Sequence, residues 1–518
     1  MKRFFTLLLI ACLCFPFLAA CENGIGNSGV KFDLGYDDKA LYAEADGDGT
    51  FSVPATPTRE GYAFRGWFTE PDGKGTRVVD ATPTTIGSDG AAVDTVYAYW
   101  TEVKPDVNQV KFIAFSPYPH IDYADETTGK VIGYRAEEED FRLMKEFGVD
   151  GLLMDYIHDG GQQEEDSNFN IRMAQQYGLD FFVCDNSIRD TSLSREELDR
   201  LTEPYRNLSH FVGFYLGDEP GYTALREWVP IAKMWREAYP DKDVHVDLCS
   251  LELIGPETNL ENYYNYFLNN YNLFHMASDP YPFGGSAVDS YLYEKFYTEL
   301  LMLARSARKG ENLPAWGYVQ VTNGIGDALD DMRYVVYADL AFGFSGIVLF
   351  NYNNTHEDIK PVEGESRYTM FNSDGTRNAA WYAGQQVLEE VRYFQDVFEK
   401  YDWVTGGAHN RLGENFTKPL KNLTSYKGTA IEVTGCNDGL IVSEFEETNG
   451  DGAAFMLFNA ASIPEKVTET VTFKIPGASS VTLYLNKTTT VLTPNAEGVY
   501  TVDIPCAMAA FLTVEYYQ

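Results

Sequence analysis

Cationic side chains are scarce in this chain: 40 Lys and Arg stand against 77 Asp and Glu, a formal net charge of −37. So acidic a surface repels nucleic acid and anionic lipid headgroups, and neither is expected as a partner. The acidity does not imply disorder, because 44% of the residues are hydrophobic and 14% aromatic. Histidine is also rare, seven residues without paired spacing, which argues against a catalytic zinc site and leaves the expected metal complement at none. Cysteine is equally sparse. Cys12, Cys14 and Cys21 lie in the N-terminal segment, while Cys184, Cys249, Cys436 and Cys506 are far apart with no Cys-x-x-Cys pair, so no metal framework is present. Cys436 and Cys506 fit either a bridge on the exported side or two buried thiols, and burial is the plainer reading. A Gly-x-Ser-x-Gly elbow is missing, which disfavours a serine esterase. Nothing in the sequence asks for a cofactor.

Long apolar runs are absent after the N-terminus. There, Lys2 and Arg3 precede an almost wholly apolar stretch from Phe4 to Phe17, closed by Leu18-Ala19-Ala20-Cys21. This is a secretory signal pattern and not part of the fold. The stretch is shorter than the about 20 residues of a membrane helix. Leu-Ala-Ala-Cys resembles the lipobox of bacterial lipoproteins. The resemblance implies cleavage before Cys21, diacylation of its sulfur, and a membrane partner reached through a lipid anchor. Residues 22–29, rich in Gly and Asn, read as a flexible tether. The expected location is the bacterial cell envelope or surface.

Residues 30–103 are rich in Gly, Thr and turn signals. Tyr62, Phe64 and, across Gly66, Trp67 with Phe68 supply the large apolar surface that so small a unit needs. The run from Pro57 to Phe68 and the closing Thr95-Val96-Tyr97-Ala98-Tyr99-Trp100 resemble the internalin-type Listeria–Bacteroides repeat. That resemblance implies a small β-rich module, and a single copy suits a spacer better than an adhesin. Glu102 to Gln109, with Pro105, reads as a linker.

From 110 to 400, strand and helix patterns alternate. The expected strands are Val110–Tyr118, Gly151–His158, Leu179–Asn186, Phe211–Glu219, Val244–Ser250, Leu273–Asp279, Ala315–Thr322 and Gly346–Asn353. Among the intervening helices, Glu138–Phe147 should stop at Gly148. Ser194 to Glu197 and Thr258 to Glu261 read as capping boxes. Strands recur about every 30 residues, the size of a βαβ unit, so a central (β/α)₈ TIM-type barrel is expected. A doubly wound open sheet is the alternative, but no Gly-rich fingerprint follows the first strand. After a long helix over Ala379–Tyr401, short strands and turns return over 401–518. That tail reads as an antiparallel β-sandwich packed on the barrel.

Chemistry in such a barrel gathers where strands run into the following loops. Those ends carry Tyr118 and His120; Asp155 and His158; Asp185 and Asn186; Asp218 and Glu219; Asp247; Asp279 and Tyr281; Gln320; and Asn351 with Tyr352. Acids, amides and aromatic faces suit a neutral oligosaccharide or polysaccharide partner. Tyr118, Tyr156, Tyr281, Trp316 and Tyr318 are candidate sugar platforms, each equally readable as barrel packing. On the fourth strand, alternation puts Gly213, Tyr215, Gly217 and Glu219 on one face, toward the barrel axis. Pro220 should keep Glu219 extended. The same parity turns Asp247 and Asp279 inward.

Gly217-Asp218-Glu219-Pro220, Asp279-Pro280-Tyr281 and Gly343-Phe344-Ser345-Gly346 resemble barrel glycoside hydrolases, broadly those like the family 42 β-galactosidases. The resemblance implies a catalytic acid at Glu219 and a glutamate nucleophile ending strand seven, where this chain has Gln320. An amide cannot be a nucleophile. Three readings follow: Asp279 replaces it, Asp218 steers an acetamido group as in substrate-assisted hexosaminidases, or the barrel binds sugar without cleaving it. The sequence thus supports a surface-anchored glycoside hydrolase, with a catalytically degenerate carbohydrate-binding protein as the alternative.

Overall fold

The computed structural model describes residues 29–44, 53–54, 56–59, 61–74, 77–78, 95–102, 109–115, 136–271, 274–283, 291–309, 313–321, 328–353, 369–372, 376–409, 423–436, 439–461 and 466–516. Cys21, the tether as far as Ser28, most of the linker, Tyr118 and His120 lie outside them. The chain divides into two compact units, one ending at Glu102 and one spanning Val103–Tyr516.

The first unit is one five-stranded sheet in the order β2-β1-β5-β3-β4. Its strands are β1 (Gly29–Asp33), β2 (Ala40–Glu44), β3 (Tyr62–Phe68), β4 (Arg77–Val78) and β5 (Thr95–Glu102). Phe64 and Trp67 are three residues apart and should face opposite ways. The register slips between Phe64 and Gly66, which returns both to one face. Both are buried with Phe32, whose ring meets Trp67 edge-on at 4.9 Å. Tyr62 and Phe68 stay half-buried, so the core draws on Val30, Phe32 and Val96 in their place.

In the second unit eight parallel strands close into a barrel. They are β6 (Lys111–Ala114), β7 (Gly151–Asp155), β8 (Asp180–Cys184), β9 (Phe211–Asp218), β10 (Asp243–Leu248), β11 (Met276–Ser278), β12 (Ala315–Gln320) and β13 (Phe344–Phe350). All eight expected strands form, most of them shorter than their hydrophobic runs. Nine helices are described between and after them: α1 (Glu138–Phe147), α2 (Gln162–Tyr177), α3 (Arg195–Leu201), α4 (Tyr222–Ala238), α5 (Leu251–Ile254), α6 (Glu257–Tyr271), α7 (Tyr291–Lys309), α8 (Ala328–Ala341) and α9 (Ala379–Phe398).

Helix α1 ends at Gly148, whose φ of 100° places it in the left-handed region. The Ser194–Glu197 capping box opens α3. The second expected box does not form. Helix α6 already begins at Glu257, the Asn259 N–H donates to the Pro256 carbonyl, and Glu261 instead pairs with Lys309. Pro256 has fixed the helical turn before Thr258 is reached. Helix α9 likewise stops at Phe398, and Tyr401 starts a strand the sequence had merged into the helix.

Two antiparallel sheets follow. One has the order β14-β16-β17-β22-β19-β20 and the other β15-β18-β21. They comprise β14 (Tyr401–His409), β15 (Glu432–Gly435), β16 (Leu440–Glu447), β17 (Ala453–Asn459), β18 (Glu469–Lys474), β19 (Ala478–Leu485), β20 (Thr488–Val491), β21 (Tyr500–Ile504) and β22 (Ala509–Tyr516). Their apolar faces merge with the barrel's outer helices into one core. Phe458 meets Tyr297 and Tyr334 of the barrel, and Phe511 packs on Phe394 and Phe398. Cys506 is buried in this core and Cys436 packs against it.

One outer-layer residue has a pH signature. Asp339 of α8 is buried beside Gly317 of β12, its Oδ2 has no hydrogen bond, and burial raises its pKa well above the carboxylate range. The folded state therefore binds this proton more tightly than the unfolded state, and stability falls as pH rises from about 4 through the folded pKa. Asp339→Asn removes that loss. The melting temperature of the variant should rise relative to the parent between pH 5 and pH 8, and a gap independent of pH would contradict the assignment.

Candidate active site

The site begins with an irregularity in β9. Tyr215 pairs with His245, but the next pairs are Gly217 with Val246 and Asp218 with Asp247, so Leu216 is an extra residue. Such a bulge reverses the side-chain phase of everything beyond it. Gly217, expected to face the axis, points outward: a Cβ there would lie 2.6 Å from the Trp228 ring of α4. Asp218 takes the inward phase beside Asp247. The Leu216 carbonyl exposed by the bulge accepts a hydrogen bond of 2.5 Å from Arg189 Nη2.

Pro220 does not keep Glu219 extended. Its φ is +41°, in the left-handed region, and its N–H donates to the Asp247 carbonyl at 2.9 Å. Strain of this kind persists only where surrounding contacts impose it, as the bulge and the β10 hydrogen bond do here. Glu219 is half-buried and Asp218 exposed.

Asp247 and Asp279 complete a group of four carboxyls drawn from three adjacent strands. Both are buried, and each has an Oδ1 without a hydrogen bond. Burial pushes the Asp247 pKa well above the carboxylate range, and the charges of Asp279, Asp218 and Glu219 add to it. Asp279 is raised in the same way, by burial first and then by Glu219, Asp218 and the buried Glu299 of α7. Asp247 also shares a hydrogen bond with Asp218. Two carboxyls can do so only if one keeps its proton.

Gln320 lies at the end of β12, yet its amide is turned to the backbone. Oε1 accepts from the Phe283 N–H at 3.0 Å and Nε2 donates to the Phe283 carbonyl at 2.8 Å. The Asp279–Phe283 segment is thereby pinned to the barrel wall. An amide can make both bonds, whereas a carboxylate would meet the carbonyl with like charge.

The remaining expected contacts divide by burial. Asp155 is exposed at the end of β7, and Asn186 is exposed; Tyr281 is half-buried, with its ring 5.4 Å from Phe350. Asp185 is buried and occupied by Ser187, Tyr205 and His158. Asn351 is buried. Tyr156 and Tyr352 point outward, to Asn168 and Trp381. Trp316 and Tyr318 fill the barrel interior and are no platforms, because their faces are taken by His275 and His245. The sequence reading missed Phe115, Phe350 and Arg189, which lie on no expected strand end. Among the described residues, no group of three or more His, Cys, Asp or Glu side chains is placed to hold a metal ion.

No curated protein matches this chain. Solved structures similar to it include a glucosidase from Croceicoccus marinus, 10% identical, with 79% of this chain and 96% of that one covered at a TM-score of 0.39. A β-glucuronidase from an uncultured Clostridium is 11% identical over 70% and 68% of the two chains, at 0.36. An endo-1,4-β-mannanase from Eisenia fetida is 12% identical over 55% and 91%, at 0.34. Residues 30–98 match the model of the Listeria–Bacteroides repeat domain.

Proposed function

We propose that the barrel is a glycoside hydrolase acting on an extracellular glycan, held at the cell envelope by the lipid anchor read at Cys21. The observation that carries this reading is the convergence of Asp218, Glu219, Asp247 and Asp279 at the C-terminal ends of adjacent barrel strands, two of them buried with unpartnered oxygens. Hydrolysis of a glycosidic bond needs a proton donor for the leaving oxygen and a second carboxylate. Burial first, and mutual repulsion after it, raises the pKa of Asp247 and of Asp279, so these two hold protons more tightly than free carboxyls do. Glu219, half-buried at the strand end, is the general acid/base. Asp218 is the second carboxylate, since it is the most exposed of the four and lies beside Asp247 in the register. Asp279, the other candidate for that role, is buried, and its burial together with the charges of Glu219 and Asp218 raises its pKa, which suits donation better than attack.

Turnover is tested on aryl glycosides and a glycan panel with the full chain. Release of reducing ends supports the hydrolase; binding without release supports the degenerate barrel, which the amide at Gln320 favours. The electrostatics add a sign. Asp247→Asn keeps the neutral form that the parent has only while Asp247 stays protonated, so the basic limb of kcat/KM that its deprotonation sets should move to higher pH. A limb that stays in place would separate Asp247 from the reaction.

A further inference from the structure

Helix α6 turns one face to the barrel, with Leu260, Tyr263, Tyr264, Phe267 and Tyr271 buried along it. One of these side chains reaches the end of β9. The Tyr263 hydroxyl donates to the Pro220 carbonyl at 2.7 Å and accepts from the Cys249 N–H at 3.3 Å. Neither role can reverse, because a carbonyl only accepts, an N–H only donates and a hydroxyl carries one proton. Burial raises the Tyr263 pKa above the ordinary phenol value, so that proton stays on the oxygen. The side chain is fully buried, and the Tyr222 ring meets it edge-on at 5.3 Å.

These two bonds stand where a rung of the sheet would be. Asp247 pairs with Asp218, and the Asp247 carbonyl accepts from the Glu219 N–H at 2.9 Å. In an unbroken parallel ladder the next N–H of β10 to face β9 is that of Cys249, and its acceptor is the Glu219 carbonyl. Here the backbone at Glu219 turns into the left-handed region, and the Cys249 N–H donates to Tyr263 instead. The hydroxyl passes the link on to the Pro220 carbonyl, one peptide further along. The end of β9 is thereby tied to β10 on both sides of the turned residue, directly at the Glu219 N–H and through Tyr263 at Pro220.

We propose that Tyr263 is a positioning residue for Glu219: its hydroxyl is inserted into the β9–β10 ladder and holds the turned backbone from which Glu219 joins the acid group. The role of Glu219 as the acid rests on the hydrolase reading, whereas the clamp does not.

Tyr263→Phe in the full chain removes the hydroxyl and keeps the ring. Tyr271→Phe is its control, since farther along α6 the buried Tyr271 hydroxyl donates to the Leu225 carbonyl, inside helix α4 rather than at a strand end. Each variant deletes one buried hydroxyl that serves a backbone carbonyl, so a merely structural contribution would show equally in both. kcat of Tyr263→Phe should fall about a hundredfold with KM little changed, the scale of a misplaced group, while Tyr271→Phe stays within about twofold of the parent. Equal losses in the two variants, or none in Tyr263→Phe, overturn the proposal.

Amide hydrogen exchange needs no substrate. The Glu219 N–H is bonded to Asp247 and not to Tyr263, so its rate reports whether the clamp holds the turn. That rate should rise about tenfold in Tyr263→Phe, the worth of one hydrogen bond, and stay at the parent's value in Tyr271→Phe. An unchanged Glu219 rate in Tyr263→Phe overturns the clamp. Should that variant fail to fold, the parent decides: the Glu219 and Cys249 amides must share one protection, and a Cys249 amide that exchanges freely beside a protected Glu219 overturns it. If the parent turns over no glycan, the hydrolase reading fails while exchange still decides on the clamp.

Discussion

Glu219→Gln is expected to lower kcat for glycan hydrolysis by about a thousandfold, within the range of general acid–base catalysis. The substitution keeps shape and removes the exchangeable proton. Glutamine is strained by the left-handed backbone at 219 to the same degree as glutamate, and the hydrogen bond from its N–H to the Asp247 carbonyl is made by the backbone. Stability and KM should therefore stay close to the parent. Initial rates on the best glycan of the panel, beside a melting curve, check both statements. Turnover within tenfold of the parent would remove Glu219 from the chemistry and hand the acid role to Asp279.

Gly217→Ala should produce the second largest effect, through geometry alone. A methyl group there meets the Trp228 ring at 2.6 Å on a backbone whose φ is +147°. Overpacking and backbone strain together cost about 3 kcal/mol, read as a shift of the urea midpoint. Relief by displacement carries Asp218 and Glu219 away from Asp247, and a misplacement of about 1 Å lowers kcat by about a hundredfold. Trp228→Phe opens room for the methyl without relaxing φ. The double variant should recover part of the stability, a coupling that two independent sites would not have. A fully stable, fully active Gly217→Ala would mean that the bulge is not needed to place the acids.

The barrel was legible because its signals are local and repeated: apolar strands, amphipathic helices, and Gly148 as a helix stop each follow from neighbouring residues. The four acids were legible too, since strand ends can be counted. The phase of Asp218 and Glu219 was not. Alternation assumes an unbroken ladder, and the extra residue Leu216 shows only when the partner strand is in view. The same blindness hid the slip between Phe64 and Gly66 that joins Phe64 to Trp67. Gln320 looked like a lost nucleophile because its partner, the Phe283 backbone, lies 37 positions away.

The tail sheets are soldered to the barrel rather than hung from it. Phe394, Phe398, Tyr297 and Tyr334 find their apolar neighbours on β17 and β22, and Arg308 of α7 reaches across to Glu446 and the Trp403 carbonyl. Cutting the gene at codon 400 would not release a barrel able to stand alone. It would leave a ring of helices with an oily flank facing water, and any rearrangement that moves this barrel would have to carry the tail along.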